Sequence, residues 1–492
     1  MNNILRQTRN LCFKGKFSKT QEFLNPIPNR TPLYRHYPHG IQPNKEPKIC
    51  DPLSALSHLK SGINSTSTIG DSVFVQGAAA TPTILLNALK DTILSRNLRD
   101  LKAYHIHLEG ETILTSKEME GTRYHNSGRL RSNSLFTGPN CRKAIADGTA
   151  DFVPVFLSQI PALFRRQYIN LDFALIHVSQ PDEHGYVSLG TSVDVALSAV
   201  ETANVVIALV NKKMPRTFGD GTIHISNIDY VIFIDQDLHL AHDSVPSEEE
   251  TQIGKYIADN LIEDGSTLQM GIGNVPTAVM TQIKEQRHIG LHSEMISDPV
   301  VDLIDVGIVD NSEKSIYRGL TVSSFCVGTK KLFNFIHNNP EIVMLDVSFT
   351  NDPFIVAQNP KVVSINSCLE IDLTGQVVSD SIGTRIYSGA GGQVDFVTGA
   401  ILSRDGLGKS IITLQSQTSK GESKIVPFLK QGAGVITTRS HVHYIVTEYG
   451  IADLRGKNLL QRAHALIQIA HPNHRLALEK AAFERFNALP YV

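Results

Sequence analysis

The sequence predicts an α/β fold made of two related domains on largely parallel sheets. Short apolar segments that suit strands alternate with amphipathic helical segments along most of the 492 residues, which is typical of parallel α/β architecture. The chain is longer than a single hydrophobic core usually serves, so two domains are expected. A unit of strand, glycine turn and helix occurs once in each half, which indicates that the two domains are related.

The repeated unit becomes visible when Pro82 is aligned with Pro276. The segment VFVQGAAATPTILLNAL then lies over TLQMGIGNVPTAVMTQI, and Gly77 coincides with Gly271. In both segments an apolar strand leads into a turn of small residues, and a proline stands where an amphipathic helix begins. In the first copy, Thr81 is predicted to cap that helix, with Pro82 in its first turn.

Further strands are predicted on both sides of a boundary that we place between the domains 23–235 and 236–492. The boundary follows from IDQDLHLAHDSVPSEEETQ, which mixes charged and loop-forming residues ahead of a helical segment. Apolar or alternating segments predict strands in DLKAYHIHLEG, LDFALIHVSQ, ETANVVIALVN, NPEIVMLDVSFTN and KVVSINSCLEIDLTGQVVSD.

The first 22 residues differ from the rest of the chain. They carry Arg6, Arg9, Lys14, Lys16 and Lys19, and the first acid is Glu22. A basic, Ser/Thr-containing leader with no acid before Glu22 and no long apolar run is typical of a mitochondrial transit peptide, so residues 1–22 are predicted to direct the protein to the matrix. The alternative is a disordered basic tail.

Composition excludes several other classes of function. The net charge of −2 and the pI of about 6.8 give no field that would favour nucleic acid or an anionic membrane. The longest apolar runs have the length of strands, so we expect a soluble protein. The five cysteines are scattered and predict reduced thiols. His105 and His107 are spaced as alternate residues of a strand, which predicts histidines with ordinary hydrogen bonds, so no metal site is expected.

The glycine turn GIGNVP is the first candidate for a binding site. A strand that enters a Gly-x-Gly turn and then a helix leaves backbone N–H groups available for a phosphate or an oxyanion. The third glycine of a Rossmann fingerprint is replaced by Pro276, and no GK[ST] follows as in a P-loop. A tight turn that binds nothing is an equal alternative.

Glu294 is the second candidate, because it follows the apolar segment HIGL within GLHSEMISD. Ligands in open α/β sheets bind at the carboxyl ends of strands. The alternative is a helix start at which Ser293 is the cap and Glu294 lies near the positive end of the helix. The pattern alone favours this alternative.

A second glycine cluster, SGAGGQVDF at 388–396, contains three glycines close together. Such a cluster predicts either a cradle for a ligand facing Glu294 or a surface turn. Asn366 and Glu448 are polar residues beside apolar strands, where an ordinary hydrogen-bonding role is the alternative to a place in the site.

Together these segments resemble one family. In this order, GIGNVPTAV, GLHSEMISD, VSINSCLEIDLTGQV, GAGGQVDF and VTEYGIADLRGK are similar to motifs of the acetyl-CoA hydrolase/transferase family, and VQGAAATP and VSQPDEHGYVSLGTSVD also fit. The resemblance spans roughly residues 50–490. It implies a CoA-transferase-like fold with the active site at the domain interface, and a homodimer or larger homo-oligomer.

The resemblance also implies roles for individual residues. Glu294 would be the nucleophile. Oxyanion donors would be the Val275 amide and the loop that contains Gly392, and Asn366 and Glu448 would lie near the substrate carboxylate and the glutamyl group. Coenzyme A would be bound along two loops, by Gly271, Ile272, Gly273, Asn274, Val275, Ser388, Gly389, Gly391 and Gly392.

The implied reaction moves CoA from an acyl-CoA, namely acetyl-CoA, to a carboxylate, namely succinate, through a glutamyl-CoA thioester with ping-pong kinetics. CoA is then a substrate, and no metal or prosthetic group is required. The wording GGQVDF and TEYG is closer to the 4-hydroxybutyrate and butyrate CoA-transferases, so these acceptors stay open. An acetyl-CoA hydrolase and a non-catalytic CoA-binding protein are also compatible with the motifs.

Overall fold

The computed structural model describes residues 40–62, 70–111, 113–119, 128–241 and 245–488. The predicted transit peptide therefore lies outside the described residues. Within them, no helix combines the length and the apolar character that a membrane span requires.

The first sheet contains eight strands, all parallel. Two inner strands, Phe173–Val178 and Val205–Asn211, are buried along nearly their whole length, as expected where helices cover both faces of a parallel sheet. The order across the sheet is Lys48–Ile49, Tyr230–Ile234, Val205–Asn211, Phe173–Val178, Ser72–Val75, Leu101–His105, Leu130–Ser134 and Asp151–Phe152. The helices of this half are Pro52–Ala55, Thr83–Ser95, Arg142–Ala146, Ile160–Arg165 and Ala196–Thr202.

The second sheet contains six strands, and only its last two neighbours are antiparallel. The order is Gly290–Leu291, Thr267–Met270, Val362–Ser367, Lys409–Thr413, Tyr444–Thr447 and Gly450–Asp453. The helices of this half are Glu248–Leu261, Asn274–Gln282, Pro299–Asp305, Lys330–Ile336, Val347–Thr350, Pro353–Val356, Gln393–Ile401, Leu459–Gln468 and Pro472–Phe486.

Five smaller sheets complete the described part of the chain. They join Thr222–His224 with Tyr186–Ser188, Met295–Ile296 with Phe325–Cys326, Thr321–Ser323 with Ile342–Met344 and Phe218–Gly219, Val377–Val378 with Glu370–Asp372 and Ile425–Val426, and Ser381–Ile382 with Arg385–Ile386.

The helix that opens the second half shows how local sequence produces structure. Ser247 and Glu250 form a reciprocal capping box, which supplies partners for N–H groups that a helix start leaves unpaired. Ile253, Ile257 and Leu261 then recur at helical spacing and are buried, so this face packs against the core. The helix therefore begins and faces inward as its sequence dictates.

Two details of the predicted elements are wrong. The helix of the first repeated unit begins at Thr83, and Thr81 is not its cap, because the Thr81 hydroxyl donates to the Ala78 carbonyl at 2.8 Å. The helix start expected at Ser293 is absent, since Glu294 lies between two short strands and the next helix begins at Pro299. Backbone pairing with neighbouring segments holds this region extended.

The two halves are joined by backbone hydrogen bonds near the segment that follows Glu294. The Val193 amide donates to the Ser324 carbonyl at 3.0 Å, and the Cys326 amide donates to the Thr191 carbonyl at 2.9 Å. The strand Phe218–Gly219 of the first half also pairs with Ile342–Met344 of the second. These contacts bring Glu294 to the junction between the halves.

Candidate active site

Glu294 is held in place through its own backbone. Its carbonyl accepts hydrogen bonds from the amides of Ser324 at 3.0 Å and Phe325 at 3.2 Å. The preceding residue, Ser293, donates its hydroxyl to the Met270 carbonyl at 3.0 Å and accepts from the Met270 amide at 3.2 Å. Because Met270 ends the strand before the GIGNVP turn, the turn and the glutamate are linked directly.

The Glu294 carboxylate is surrounded by polar groups. The Asn351 side chain donates from Nδ2 to Oε2 at 2.8 Å, and the Gly392 amide also donates to the carboxylate. Burial raises the pKa of Glu294 to about 7, with nearby Asp395 and Asp194 acting in the same direction, and the two hydrogen bonds oppose this rise. Glu294 is therefore a carboxylate that is only partly ionised at neutral pH.

The backbone of Gly392 lies against the carboxylate. A Cβ atom at this position would overlap Oε2 of Glu294 and crowd Nδ2 of Asn351. The backbone can approach Glu294 only because residue 392 has no side chain. The predicted meeting of the second glycine loop with Glu294 is thus a feature of the structure.

The second glycine loop packs against the first half of the chain, so the interpretation as a surface turn is wrong. The Leu157 amide donates to the Gly391 carbonyl at 3.0 Å. Cβ atoms at Gly389 and Gly391 would lie 3.1 Å and 3.2 Å from the Phe136 ring. The Ser388 hydroxyl donates to the Ser379 carbonyl at 3.1 Å, which fixes the start of the loop.

A buried cluster continues from Glu294 into the first half. Asn351 is fully buried, and its side chain also lies beside Asp395 in the helix Gln393–Ile401, where it opposes the rise in the pKa of that carboxyl. Asp395 accepts from the Ser158 hydroxyl at 2.9 Å and from the Ser158 amide at 3.3 Å. Burial raises the pKa of Asp395 to about 7.

Sequence reasoning missed Asn351, Asp395 and Ser158. Asp395 lies inside the segment GAGGQVDF, but only the glycines of that segment were predicted to take part in the site. Asn351 sits between two four-residue helices and has no distinguishing pattern around it. A buried asparagine that lies 57 residues from its partner leaves no signal in a single sequence.

The first glycine turn is open to solvent. Ile272 is 49% exposed, and Cβ atoms at Gly271 and Gly273 would meet nothing within 4 Å. Gly273 has a φ of 120°, a conformation that favours glycine. Val275 lies in the first helical turn, where a helix supplies no carbonyl partner for its amide. The turn therefore offers space and an N–H donor to a ligand.

Asn274 has a structural task in addition to its predicted role in binding. Its side chain donates from Nδ2 to Oε2 of Glu250 at 2.9 Å. Glu250 belongs to the capping box of the helix Glu248–Leu261, so this bond ties the turn to the neighbouring helix.

Asn366 and Glu448 lie at the carboxyl edge of the second sheet. Their side chains form hydrogen bonds with residues other than Glu294. Asn366 donates to Gln269 at 3.1 Å and to Ser364 at 2.9 Å. Glu448 follows the strand Tyr444–Thr447 and accepts from the Ser416 amide at 2.9 Å. Both positions share the edge on which the GIGNVP turn lies, and their catalytic roles stay predictions.

The histidines and cysteines make ordinary contacts. His105 hydrogen-bonds Ser132 at 2.8 Å, and His107 pairs with Glu109 at 2.8 Å. In the described ranges, no group of three or more His, Cys, Asp and Glu residues could hold a metal ion. Among the same residues the free cysteines are Cys50, Cys141, Cys326 and Cys368.

Comparison with known families identifies the chain. Residues 59–241 match the acetyl-CoA hydrolase/transferase N-terminal domain, and residues 328–482 match the acetyl-CoA hydrolase/transferase C-terminal domain. The chain belongs to the acetyl-CoA hydrolase/transferase family. Glu294 lies between the two matched regions, in the segment that the structure places at the junction of the halves.

Two relatives that are similar over most of the chain are CoA-transferases. A succinyl-CoA:acetate/propanoyl-CoA:succinate CoA transferase of Fasciola hepatica is 54% identical over 421 residues, which cover 86% of each chain. A 4-hydroxybutyrate coenzyme A transferase of Clostridium kluyveri is 44% identical over 410 residues, covering 83% of this chain and 93% of that one.

Solved structures show the same architecture. A 4-hydroxybutyrate CoA-transferase from Porphyromonas gingivalis superposes with a TM-score of 0.72 at 34% identity, covering 89% of this chain and 98% of that one. RipA from Yersinia pestis gives a TM-score of 0.80 at 34% identity, covering 89% and 97%. The predicted family, the α/β fold and the prediction of a CoA-transferase that uses CoA as a substrate are confirmed.

Proposed function

We propose that this enzyme transfers CoA from acetyl-CoA to succinate, giving acetate and succinyl-CoA, through a glutamyl-CoA thioester on Glu294. The observation that carries the proposal is the Glu294 carboxylate, held at the junction of the halves by Asn351 and the Gly392 amide beside an open glycine turn. The choice of acetate and succinate is supported by the Fasciola hepatica relative, whose name contains both acids.

In the first step a Glu294 oxygen attacks the thioester carbonyl of acetyl-CoA. A C–O bond forms, the C–S bond breaks, and CoA leaves as a thiolate with the bonding electron pair. The product is a mixed anhydride between acetate and Glu294. The carboxylate must be ionised to attack, and a pKa of about 7 leaves a sizeable ionised fraction at neutral pH.

In the second step the CoA thiolate attacks the glutamyl carbonyl of the anhydride. The C–S bond forms, the C–O bond to the acetyl group breaks, and acetate leaves with the electron pair. The enzyme now carries CoA as a thioester on Glu294. Succinate then repeats the two steps in reverse order, so the free energy of the thioester passes to succinyl-CoA.

Each step passes through a tetrahedral oxyanion that needs hydrogen-bond donors in fixed positions. We assign the Val275 amide to the oxyanion on the acyl carbonyl and the Gly392 amide to the oxyanion on the glutamyl carbonyl. The backbone at 271–275 and the loop at 388–392 hold CoA between them. Asn366 and Glu448 lie at the same sheet edge and would contact the acceptor carboxylate and the glutamyl group.

A second candidate acceptor is 4-hydroxybutyrate. The Clostridium kluyveri relative named for this acid is 44% identical, and the match covers most of both chains. Hydrolysis is a further candidate reaction, because water could replace the second carboxylate, and an acetyl-CoA hydrolase of Neurospora crassa is 26% identical over 90% of this chain.

The test is an acceptor-dependence assay. Acetyl-CoA consumption is measured without acid, with succinate, with 4-hydroxybutyrate and with butyrate, and the acyl-CoA products are identified by chromatography. We expect consumption to depend on added carboxylate, with succinyl-CoA as the main product. A rate that is independent of every carboxylate, with free CoA as the product, would replace the transferase by a hydrolase.

The cellular setting is also proposed. The basic leader at 1–22 is a transit peptide, domains occupy 23–235 and 236–492, and the mature enzyme is a homo-oligomer in the mitochondrial matrix. The leader's charge pattern supports the targeting, and the separate sheets of the two halves support the division into domains. The homo-oligomer rests on the family resemblance alone. Cell fractionation and amino-terminal sequencing of the mature protein test them, and recovery of an uncleaved cytosolic chain would overturn the targeting proposal.

A further inference from the structure

We propose that the Asn351 amide is a catalytic hydrogen-bond donor to Oε2 of Glu294, and that Asp395 is the positioning residue that orients this amide. The inference rests on the proposed function, because it assigns roles around the same nucleophile. The inference adds one side-chain donor, Asn351, to a site whose other proposed oxyanion donors are backbone amides. It also adds Asp395, which orients that donor.

Asn351 and Glu294 are joined by a short, partly buried hydrogen bond. Nδ2 of Asn351 lies 2.8 Å from Oε2 of Glu294, and Asn351 is fully buried, so no water competes for this amide. Among the described residues, no side chain donates to Oε1. We therefore assign the attack on the acyl carbonyl to Oε1, the oxygen that Asn351 does not contact.

Oε2 of Glu294 changes its role during the reaction. Once Oε1 has been acylated, Oε2 becomes the carbonyl oxygen of the glutamyl group. Attack by the CoA thiolate on that carbonyl places negative charge on Oε2, where the Asn351 amide already points. A donor fixed before charge develops lowers the barrier without reorganisation.

Asp395 orients the Asn351 amide. A side-chain amide can turn over and present its oxygen instead, which would repel a carboxylate. The Asn351 amide donates to Glu294 and also favours the ionised form of Asp395, and both carboxylates favour the N–H side of the amide. Oδ1 of Asn351 is buried and has no hydrogen-bond partner among the described residues. The orientation of the amide is therefore determined by the acceptors on its N–H side and not by a bond to Oδ1.

Asp395 is itself anchored by Ser158 from the first half of the chain. Ser158 donates to it from the hydroxyl at 2.9 Å and from the amide at 3.3 Å. Ser158 is thus hydrogen-bonded to Asp395, Asp395 lies beside Asn351, and Asn351 is hydrogen-bonded to Glu294. The two halves must be docked for the nucleophile to be aligned.

The charges around the cluster predict a pH signature. The acids facing it are Asp395 and Asp194 near Glu294, and Asp352 near Asp395. Asp346 lies near Asp194 and is paired with Arg165 at 2.6 Å. Because Asp395 repels an ionised Glu294, replacing it by asparagine lowers the pKa of Glu294 and moves the acid limb of kcat/KM to lower pH.

The experiment compares Asn351→Ala, Asp395→Asn and the control Asp259→Asn, which removes one exposed carboxylate from the helix Glu248–Leu261. For Asn351→Ala we expect kcat to fall by about 10²–10³-fold, as for loss of one oxyanion donor, with little change in KM for acetyl-CoA. For Asp395→Asn we expect a smaller fall and an acid limb displaced to lower pH. Asp259→Asn should retain the wild-type profile.

Two outcomes overturn the inference. One is an Asn351→Ala enzyme with kcat within about twofold of wild type, where a lost donor should cost far more. The other is an Asp395→Asn enzyme with an unshifted pH profile, and this isosteric change gives a reading even if Asn351→Ala does not fold. If either result is obtained and the wild-type enzyme still forms glutamyl-CoA, only this inference is wrong. If the wild-type enzyme forms no glutamyl-CoA, the proposed function itself is wrong.

Discussion

The turns at Gly77 and Gly271 come from the same repeated unit, but their surroundings differ. A Cβ atom at Gly77 would lie 2.5 Å from the His107 carbonyl oxygen, whereas one at Gly271 would meet nothing within 4 Å. Residues 78–81 are buried, while Ile272 and Gly273 are exposed. The first turn packs inside the protein, and the second faces solvent beside Glu294.

The repeated unit therefore has a structural role in its first copy and a predicted binding role in its second copy. In the first copy the Ala78 amide donates to the His107 carbonyl at 2.8 Å, and the Thr81 amide donates to the Ala78 carbonyl at 3.1 Å. The donors of that turn are therefore used by the protein itself. In the second copy the space above the turn is open, so the same geometry can serve a ligand.

The largest effect is expected from Glu294→Gln, which removes the nucleophile beside the open turn. We expect CoA transfer to fall by about 10⁴-fold or more, because no covalent intermediate can form. Turnover is measured with acetyl-CoA and succinate, and Glu285→Gln, at an exposed glutamate, is the control. Retention of a substantial part of wild-type activity would assign the nucleophile elsewhere.

Gly392→Ala should have the next largest effect. The new methyl group overlaps Oε2 of Glu294, so the carboxylate must leave its position between Asn351 and the loop. We expect kcat to fall by about 10²–10³-fold, the range for loss of an oxyanion donor. Gly271→Ala, where the methyl group meets no protein atom within 4 Å, is the control for kcat, since a methyl group in the turn assigned to CoA can change KM but does not displace Glu294. Equal kcat values of the two variants would contradict the predicted crowding.

The pH dependence of the wild-type enzyme should follow Glu294. Burial raises its pKa to about 7, and only the ionised form attacks. We expect kcat/KM to rise about tenfold per pH unit below about pH 7 and to level off above it. A profile measured from about pH 5 to about pH 9 tests this. An acid limb at the ordinary value of 4.5 would contradict it.

The same group gives a stability prediction with a definite sign. Its folded pKa of about 7 exceeds the ordinary value of 4.5, so the folded state binds more protons between these two pH values. Its contribution to stability is present below that interval and is lost as pH rises through about 7. The free energy of unfolding of Glu294→Gln relative to wild type should therefore increase from about pH 5 to about pH 8, as measured by urea unfolding. A constant difference would contradict this sign.

The smallest effects test the two turns directly. Gly77→Ala should reduce the free energy of unfolding by about 1–3 kcal/mol, because its methyl group meets packed backbone. Gly271→Val should unfold like wild type but raise KM for acetyl-CoA by about tenfold, equivalent to ~1.4 kcal/mol of binding. Thermal unfolding and steady-state kinetics on both variants check this, and the reverse assignment of effects would refute the comparison.

Much of the fold followed from local sequence. The alternation of apolar strands and amphipathic helices predicted parallel sheets, and the inner strand Val205–Asn211 is buried as its Val- and Ile-rich segment indicates. The first helix of the repeated unit was placed too early, since the Thr81 hydroxyl bonds Ala78 instead of the helix start. Such a hydrogen bond depends on the folded turn and has no signature in the sequence.

The site was less accessible to sequence reasoning than the fold. Pattern alone favoured a helix start at Ser293, and only the family resemblance favoured Glu294 as a nucleophile. The structure adds Asn351 and Asp395, which approach Glu294 from distant parts of the chain. Because their effect depends on three-dimensional contact and burial, one sequence without relatives could not identify them.

Direct detection of the covalent intermediate tests the central claim. The enzyme is incubated with acetyl-CoA without acceptor, digested, and searched by mass spectrometry for the peptide that contains Glu294. We predict a CoA adduct on this peptide that disappears when succinate is added, as succinyl-CoA forms, and that is absent from Glu294→Gln. CoA on another residue, or turnover without any adduct, would contradict the account.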